Sequence, residues 1–164
     1  MKLSSSGLRQ DGRFDDKYGK RGKAPCSLPF RIEDAPEGTR SFAVYFEDKD
    51  SIPVCGFAWI HWLISDLRNT EVPEGAAQDP KGFTQGSTSL YRGLSNPKFG
   101  GVSRADSCTY VPMAPPDKPH CYELHVYALD TILPLPKGFY WNELYHAMAG
   151  HVLEEAVLSG WYDA

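Results

Sequence analysis

The sequence predicts a mostly β fold with one helix near its C-terminal end. Aromatic residues make up 13% of the chain, and its 15 glycines and 13 prolines are spread along it. That mixture suits short strands joined by turns better than a helical bundle. Strand-like patterns recur at residues 40–47, 57–65 and 121–129, and the last pattern in the chain has helical spacing.

Each strand segment has its own signature. Residues 40–47 combine β-branched and aromatic side chains, and the Asp, Ser and Pro of residues 48–53 then favour a turn. Residues 57–65 are too short and too aromatic for a typical helix, and we expect a buried central strand there. In residues 121–129, apolar side chains alternate with Glu, His and Tyr, which predicts a strand with one apolar face.

The helix is predicted over residues 142–160, with Asn142 as its N-cap and Gly160 at its stop. Four apolar residues recur there at four-residue spacing: Leu144, Met148, Val152 and Ala156. Gly150 falls inside the pattern, where a glycine costs about 1 kcal/mol relative to alanine. The expected architecture is a β-sheet with this helix packed against it.

Length and charge limit the class of protein. The chain has 164 residues without a repeat or linker, so residues 1–164 are predicted to form a single domain. Its net charge is −4, whereas a nucleic-acid-binding protein needs a basic surface, so no nucleic-acid partner is expected. No stretch approaches the ~20 apolar residues that a transmembrane helix needs.

Cysteine usage and the N-terminal residues predict a cytoplasmic protein. The four cysteines are scattered and form no CxxC pair, so we expect reduced thiols. The first six residues, Met-Lys-Leu-Ser-Ser-Ser, lack the apolar core of a signal peptide.

The segment from residue 66 to residue 109 is predicted to be a long loop with at most short strands, since it is rich in Gly, Pro, Asn and Ser. A compact domain rarely carries such a loop without a use for it. Four aromatic residues lie in or beside it: Phe83, Tyr91, Phe99 and Tyr110. Because aromatic side chains are enriched at interfaces, we expect a homodimer.

Candidate functional residues occur in three places. Asp48 and Asp50 follow the first strand, His61 lies within the second, and His120 and Tyr122 share a face at the start of the third. Each has a structural explanation, since Asp often bonds its own turn and a buried His is usually a satisfied hydrogen-bonding group. Catalytic and phosphate-loop motifs are absent, and no spacing of Cys and His selects a metal site, so no catalytic residue, metal or cofactor is predicted.

Taken in order, these three places resemble the phosphatidylethanolamine-binding protein family, in its bacterial and archaeal Raf kinase inhibitor-like branch. Residues 48–53, Asp-Lys-Asp-Ser-Ile-Pro, are similar to the family's Asp-Pro-Asp-x-Pro box. Residues 59–64, Trp-Ile-His-Trp-Leu-Ile, resemble the strand with its His-Trp element. Tyr110 through residue 116, then His-Cys-Tyr at 120–122, resemble the Gly-x-Gly-Pro-Pro and His-Arg-Tyr boxes.

Weaker similarities extend to both ends, and residues 150–153 with Gly160 resemble the family's C-terminal helix. The main departure lies before the Pro-Pro pair, where the family has glycines whose backbone N–H groups approach an anion. Here Pro112 has no N–H to donate, and Met113 and Ala114 add side chains at the rim, which predicts a narrower pocket.

The resemblance implies a large central antiparallel sheet, a smaller second sheet and peripheral helices. It also implies one small pocket that binds a phosphate-type anion. Six residues are expected to form it: Asp48, Asp50, His61, Tyr110, His120 and Tyr122. The histidines would donate hydrogen bonds, as imidazolium if charged, and the aspartates would orient the donors.

The leading hypothesis is a non-enzymatic protein that recognises a phospholipid headgroup or a phosphorylated partner. Two alternatives remain open. One is a small hydrolase that uses His61, His120 and Asp48, and the other is an interaction or inhibitor module that contacts a protein partner through its long loop.

Overall fold

Two antiparallel sheets organise the computed structural model, which describes residues 1–91 and 102–164. The large sheet contains β3 (Ser41–Asp48), β4 (Trp59–Leu67), β6 (Thr84–Gln85), β7 (His120–Leu129) and β8 (Val152–Tyr162), in the order β6–β4–β3–β7–β8. The small sheet contains β1 (Lys2–Ser4), β2 (Phe30–Glu33) and β5 (Glu71–Val72), in the order β1–β2–β5. A mostly β fold with a large and a small sheet is thus confirmed.

β3 is the centre of the large sheet, and all eight of its residues are buried. Its side chains alternate between the two faces, so Phe42, Val44 and Phe46 point into one hydrophobic cluster while Ala43 and Tyr45 point into another. The predicted apolar face of β7 belongs to the first cluster, which confirms the alternation seen in the sequence.

Each face of the large sheet has its own cover. The small sheet contributes Phe30, Ile32 and Val72 to the cluster on one face. On the other face lies α2 (Trp141–Met148), which buries Leu144 and Met148. A second helix, α1 (Ile52–Cys55), forms within the turn after β3 and ends at Gly56, whose φ is +91°.

The predicted helix over residues 142–160 is wrong in its second half. α2 begins at Trp141 after Tyr140, so Asn142 is not its N-cap, and it ends at Met148. The chain then turns at Gly150, with φ of +81°, and continues as β8, which pairs with β7 from Leu129 to His120. A four-residue spacing of apolar side chains also places them on one face of a strand, so the pattern of Val152 and Ala156 suits both structures.

The segment expected as a long loop contains β5 and β6, and residues 92–101, with Phe99, lie outside the described residues. The other aromatic residues offered for a dimer interface are packed within the chain. Phe83 contacts Trp62, Tyr91 stacks on Tyr140, and Tyr110 is buried. In the part of the chain that the structure describes, no helix is long and apolar enough to cross a membrane.

Candidate functional site

A β-bulge in β4 aims His61 into the protein. Phe46 of β3 pairs with Trp62, and Glu47 pairs with Ile60, so His61 is the extra residue between the two pairs. A bulge of this kind redirects a side chain that strict alternation would place on the opposite face. As a result both Trp62 and His61 are buried, and the His61 ring contacts Phe46 at 5.8 Å between ring centres.

His61 is held as a neutral imidazole. Its Nδ1 lies 2.8 Å from the carbonyl oxygen of Val111, and because a carbonyl only accepts, Nδ1 carries the proton. Burial lowers the pKa of His61 to about 4, more than this hydrogen bond raises it. The expectation of an imidazolium donor is therefore wrong for His61, whose Nε2 is a hydrogen-bond acceptor.

Tyr122 lies beside His61. It stands opposite Asp48 in the pairing of β7 with β3, and its ring is 5.1 Å from the His61 ring. The Tyr122 hydroxyl is fully buried and makes no hydrogen bond of normal geometry among the described residues, although the Asp48 carboxylate and the backbone of Ala114 lie near it. Burial, and then the charge of Asp48, raise the pKa of Tyr122. Such a buried hydroxyl without a partner is rare in proteins and marks a place where a ligand or water can bind.

His120 joins two carboxylates behind this site. Its Nδ1 is 2.7 Å from an oxygen of Asp48 and its Nε2 is 2.9 Å from an oxygen of Asp117. Burial lowers the pKa of His120, but the hydrogen bonds and charges of the two carboxylates outweigh it and raise the pKa overall. Both ring nitrogens are committed, so in this arrangement His120 has no donor left for a ligand.

Asp48 is oriented by these contacts and by the backbone. Its Oδ1 accepts the N–H of Ser51, at 3.0 Å, in the turn before α1. Burial raises the pKa of Asp48, more than the hydrogen bond with His120 lowers it. For the pair of His120 and Asp48, the raised pKa of His120 is the stronger effect, because two carboxylates face its one ring. Asp117, which the sequence analysis missed, stands three residues before His120, and that spacing was its only signal.

Two of the expected pocket residues have other positions. Asp50 accepts the backbone N–H of Cys121 at 2.9 Å, which ties the turn after β3 to the start of β7. The Tyr110 hydroxyl donates to the carbonyl of Tyr18 at 2.9 Å, and its ring stacks on Phe46 in the core. Asp50 orients backbone, Tyr110 fills the core, and neither lines the cavity.

Asp48, His61 and Tyr122 do line one cavity, with a volume of about 460 Å³. Residues that the sequence analysis did not single out complete its wall, chiefly Ser51, Val54, Cys55, Trp59, Leu90 and Pro116. Pro112 and Ala114 line the cavity, whereas Met113 turns into the core and is fully buried. The substitutions before the Pro-Pro pair therefore leave the cavity open.

A second polar cluster lies on the opposite face of the large sheet. Ligand-type atoms of Glu47, Glu123 and His125 lie within 4.8 Å of one another, a spacing that could hold a metal ion. However, the Lys49 ammonium group contacts both carboxylates and already supplies a positive charge there. Lys49 would have to move before a metal could bind, so we describe the cluster as an ion-pair network.

Comparisons with known proteins show the family of the chain. The family model for phosphatidylethanolamine-binding protein matches residues 4–163. The chain is 40% identical over 144 residues to the uncharacterized protein YxkA of Bacillus subtilis, covering 86% of this chain and 83% of that one. It is also 30% identical over 166 residues to a UPF0098 protein of Chlamydia muridarum, covering 99% of each.

Solved structures show the same fold. A Chlamydia trachomatis protein described as a homolog of phosphatidylethanolamine-binding protein has a TM-score of 0.81 and 28% identity, covering 99% of this chain and 96% of its own. YbcL of E. coli has a TM-score of 0.79 and 21% identity, covering 99% of this chain and 98% of its own. The chain belongs to the phosphatidylethanolamine-binding protein family.

Proposed function

We propose that this protein is a non-enzymatic binding protein that recognises a phosphate-type anionic group in the cavity beside Tyr122. The Tyr122 hydroxyl is the observation that carries the proposal, because it is fully buried and makes no hydrogen bond of normal geometry among the described residues. An oxyanion would accept from this hydroxyl, and a hydrogen bond to a charged acceptor is about twice as strong as one to a neutral acceptor.

The shape of the cavity supports a small ligand with an apolar body. A volume of about 460 Å³ exceeds what one phosphate group needs. Val54, Trp59, Leu90 and Pro116 supply an apolar wall next to the polar groups. This combination suits a phosphate ester, as in a phospholipid headgroup or a phosphorylated side chain.

Binding is favoured over hydrolysis by the hydrogen bonds of the two histidines. A hydrolase needs a nucleophile within hydrogen-bond reach of its base. Among the described residues, His61 bonds to a backbone carbonyl and His120 to two carboxylates. An interaction module that uses the loop before Tyr110 remains an alternative hypothesis, and part of that loop lies outside the described residues.

The test is calorimetric titration of phenyl phosphate into the protein and into its Tyr122→Phe variant at pH 5.5. The variant keeps the ring packing and loses the hydroxyl, so we expect affinity to fall by about 1.5 to 3 kcal/mol, a loss typical of hydrogen bonds to charged groups. The same change should alter the free energy of unfolding of the free protein little, since the lost hydroxyl makes no hydrogen bond of normal geometry there.

Tyr145→Phe is the matched control, because Tyr145 is exposed on α2, on the opposite face of the sheet. It should bind phenyl phosphate as the unmodified protein does. Equal affinities for the unmodified protein and Tyr122→Phe, or no binding at all, would contradict the proposed function.

A further inference from the structure

His61 restricts the chemistry of any ligand in the cavity. Its Nδ1–H is committed to the carbonyl of Val111, and no other hydrogen bond of His61 is present within residues 1–91 and 102–164. The remaining nitrogen, Nε2, therefore presents a lone pair. A ligand atom that hydrogen-bonds to Nε2 must be a donor, which a fully ionised phosphate does not have.

The charges around the cavity restrict the ligand further. Neither Lys nor Arg is present among the described residues that line it. The carboxylate that does line it, Asp48, has His120 as its partner, and Asp117 adds a second negative charge behind that ring. Because no positive side chain among the described residues contacts the cavity, burial there costs a dianion more free energy than a monoanion.

We propose that the cavity selects a phosphate monoester in its singly protonated, monoanionic form. The P–OH group donates to Nε2 of His61, and a phosphoryl oxygen accepts from the Tyr122 hydroxyl. The centres of the two rings are 5.1 Å apart, and we place one tetrahedral group between the hydroxyl and Nε2. The inference rests on the proposed function and makes His61 the residue that determines which ionisation state of the ligand binds.

Sulfate esters provide the comparison that separates this inference from anion binding in general. A sulfate monoester has the same shape and one negative charge, but it carries no proton at neutral pH. A phosphate monoester loses its second proton near pH 6. If His61 requires a donor, the phosphate ester binds only as its monoanion, and the sulfate ester binds poorly at every pH.

Titration of the protein itself has to be separated from titration of the ligand. The titratable side chains at and behind the cavity in the described part of the chain include Asp48, Asp50, Cys55, His61, Asp117, His120 and Tyr122. Among these is His120, whose pKa is raised by its two carboxylates in spite of burial and which loses its proton as the pH rises through that raised value. That loss weakens the binding of both ligands alike, so it cancels in the ratio of their affinities.

The experiment measures the affinities of phenyl phosphate and phenyl sulfate by calorimetry at half-unit steps from pH 5.5 to pH 7.5. The monoanionic fraction of the phosphate ester falls about 25-fold over this range, given a pKa near 6. We expect its affinity to fall by the same factor relative to phenyl sulfate. His61→Gln, whose amide both donates and accepts, should bring the two ligands toward equal affinity. If this variant fails to fold, the ratio in the unmodified protein decides.

The remaining outcomes are distinct. If both esters bind and weaken in parallel, the ligand's proton does not matter, and the inference is overturned while anion binding stands. The same holds if phenyl phosphate binds more tightly as it becomes a dianion. If neither ester binds at any pH, the proposed function and this inference both fail.

Discussion

At the residue scale, the site depends on which atoms of each side chain are already committed. His61 and His120 are both buried, yet their pKa values shift in opposite directions. A backbone carbonyl is the only hydrogen-bond partner of His61 in the described chain, and burial lowers the pKa of His61 to about 4. Two carboxylates flank His120 and raise its pKa against the effect of burial. The same residue type is thus a neutral acceptor in one place and, in the other, an orienting group whose charged form is stabilised.

This difference predicts the effect of replacing His120. The resemblance placed it among the residues of the pocket, but the structure buries it completely and pairs it with Asp48. His120→Ala leaves the buried Asp48 carboxylate without its partner, and the loss of one member of a buried pair costs about 3 to 5 kcal/mol. Urea unfolding at pH 6 should show a loss of this size.

His151→Ala is the control for that measurement. His151 also contacts a carboxylate, Asp130, but both side chains are about half exposed. Its replacement should change the free energy of unfolding by less than about 1 kcal/mol, as for other surface pairs. Similar small losses in both variants would mean that the pair of His120 and Asp48 is not buried in solution.

At the element scale, the sequence predicts the central strands well and the C-terminal end poorly. β3, β4 and β7 lie within two residues of their predicted bounds because period-two alternation and aromatic content leave few other readings. β8 fails because a four-residue spacing suits a helix and a strand equally. The bulge at His61 has no signature in the sequence, since it depends on the register of β4 against β3.

The candidate site, like the fold, was predicted only in part from the sequence. Family motifs identified the three places that meet, and Asp48, His61 and Tyr122 do line one cavity. The motifs could not reveal that His120 and Asp50 are committed to other partners, because a hydrogen bond depends on side-chain direction. Asp117 was not predicted, because an aspartate in a proline-rich turn is common and gives no functional signal.

Gly150 allows a test of the boundary between α2 and β8. Its φ is +81°, and a Cβ built there would meet nothing within 4 Å, so substitution costs only backbone strain. Gly150→Ala should lower the free energy of unfolding by about 1 to 2 kcal/mol, since a non-glycine residue is disfavoured in the left-handed region. Were residues 142–160 one helix, the same change would raise it by about 1 kcal/mol. The sign of the change in the free energy of unfolding, measured by chemical denaturation, therefore distinguishes the two structures.

At the scale of the whole molecule, the two histidines give stability opposite dependences on pH. His61 has a pKa of about 4 when folded and about 6.5 when unfolded, so stability falls as the pH drops from 6.5 toward 4. Its contribution amounts to about 3 kcal/mol. His120, and likewise His125, have raised pKa values, so their contributions are complete below pH 6.5 and are lost as the pH rises through those values.

A comparison of the unmodified protein with His61→Gln isolates the loss of stability that His61 causes as the pH falls from 6.5 to 4. Glutamine does not titrate between pH 4 and pH 6.5, so the variant should lose about 3 kcal/mol less stability over that interval, by urea unfolding. Parallel curves for the two proteins would mean that His61 accepts a proton freely in the folded state, which would also remove the basis for a lone pair at Nε2.

Assembly stays a prediction at this scale. Of the aromatic residues offered for a homodimer interface, Phe83 and Tyr110 are packed within the chain and Phe99 lies outside the described residues. The large exposed hydrophobic side chains of the described residues lie instead mainly around α1 and on β8. Sedimentation at high micromolar concentration tests for the dimer, and a clean monomer would contradict it.

The most direct test of the central claim is a crystal structure of the protein with phenyl phosphate bound at pH 5.5. We predict the phosphate group inside the cavity, with one oxygen within hydrogen-bond distance of the Tyr122 hydroxyl and another within that distance of Nε2 of His61. The phenyl ring should lie against Leu90 and Val54. A phosphate group bound elsewhere, or a cavity that holds only water at saturating ligand, would contradict the account.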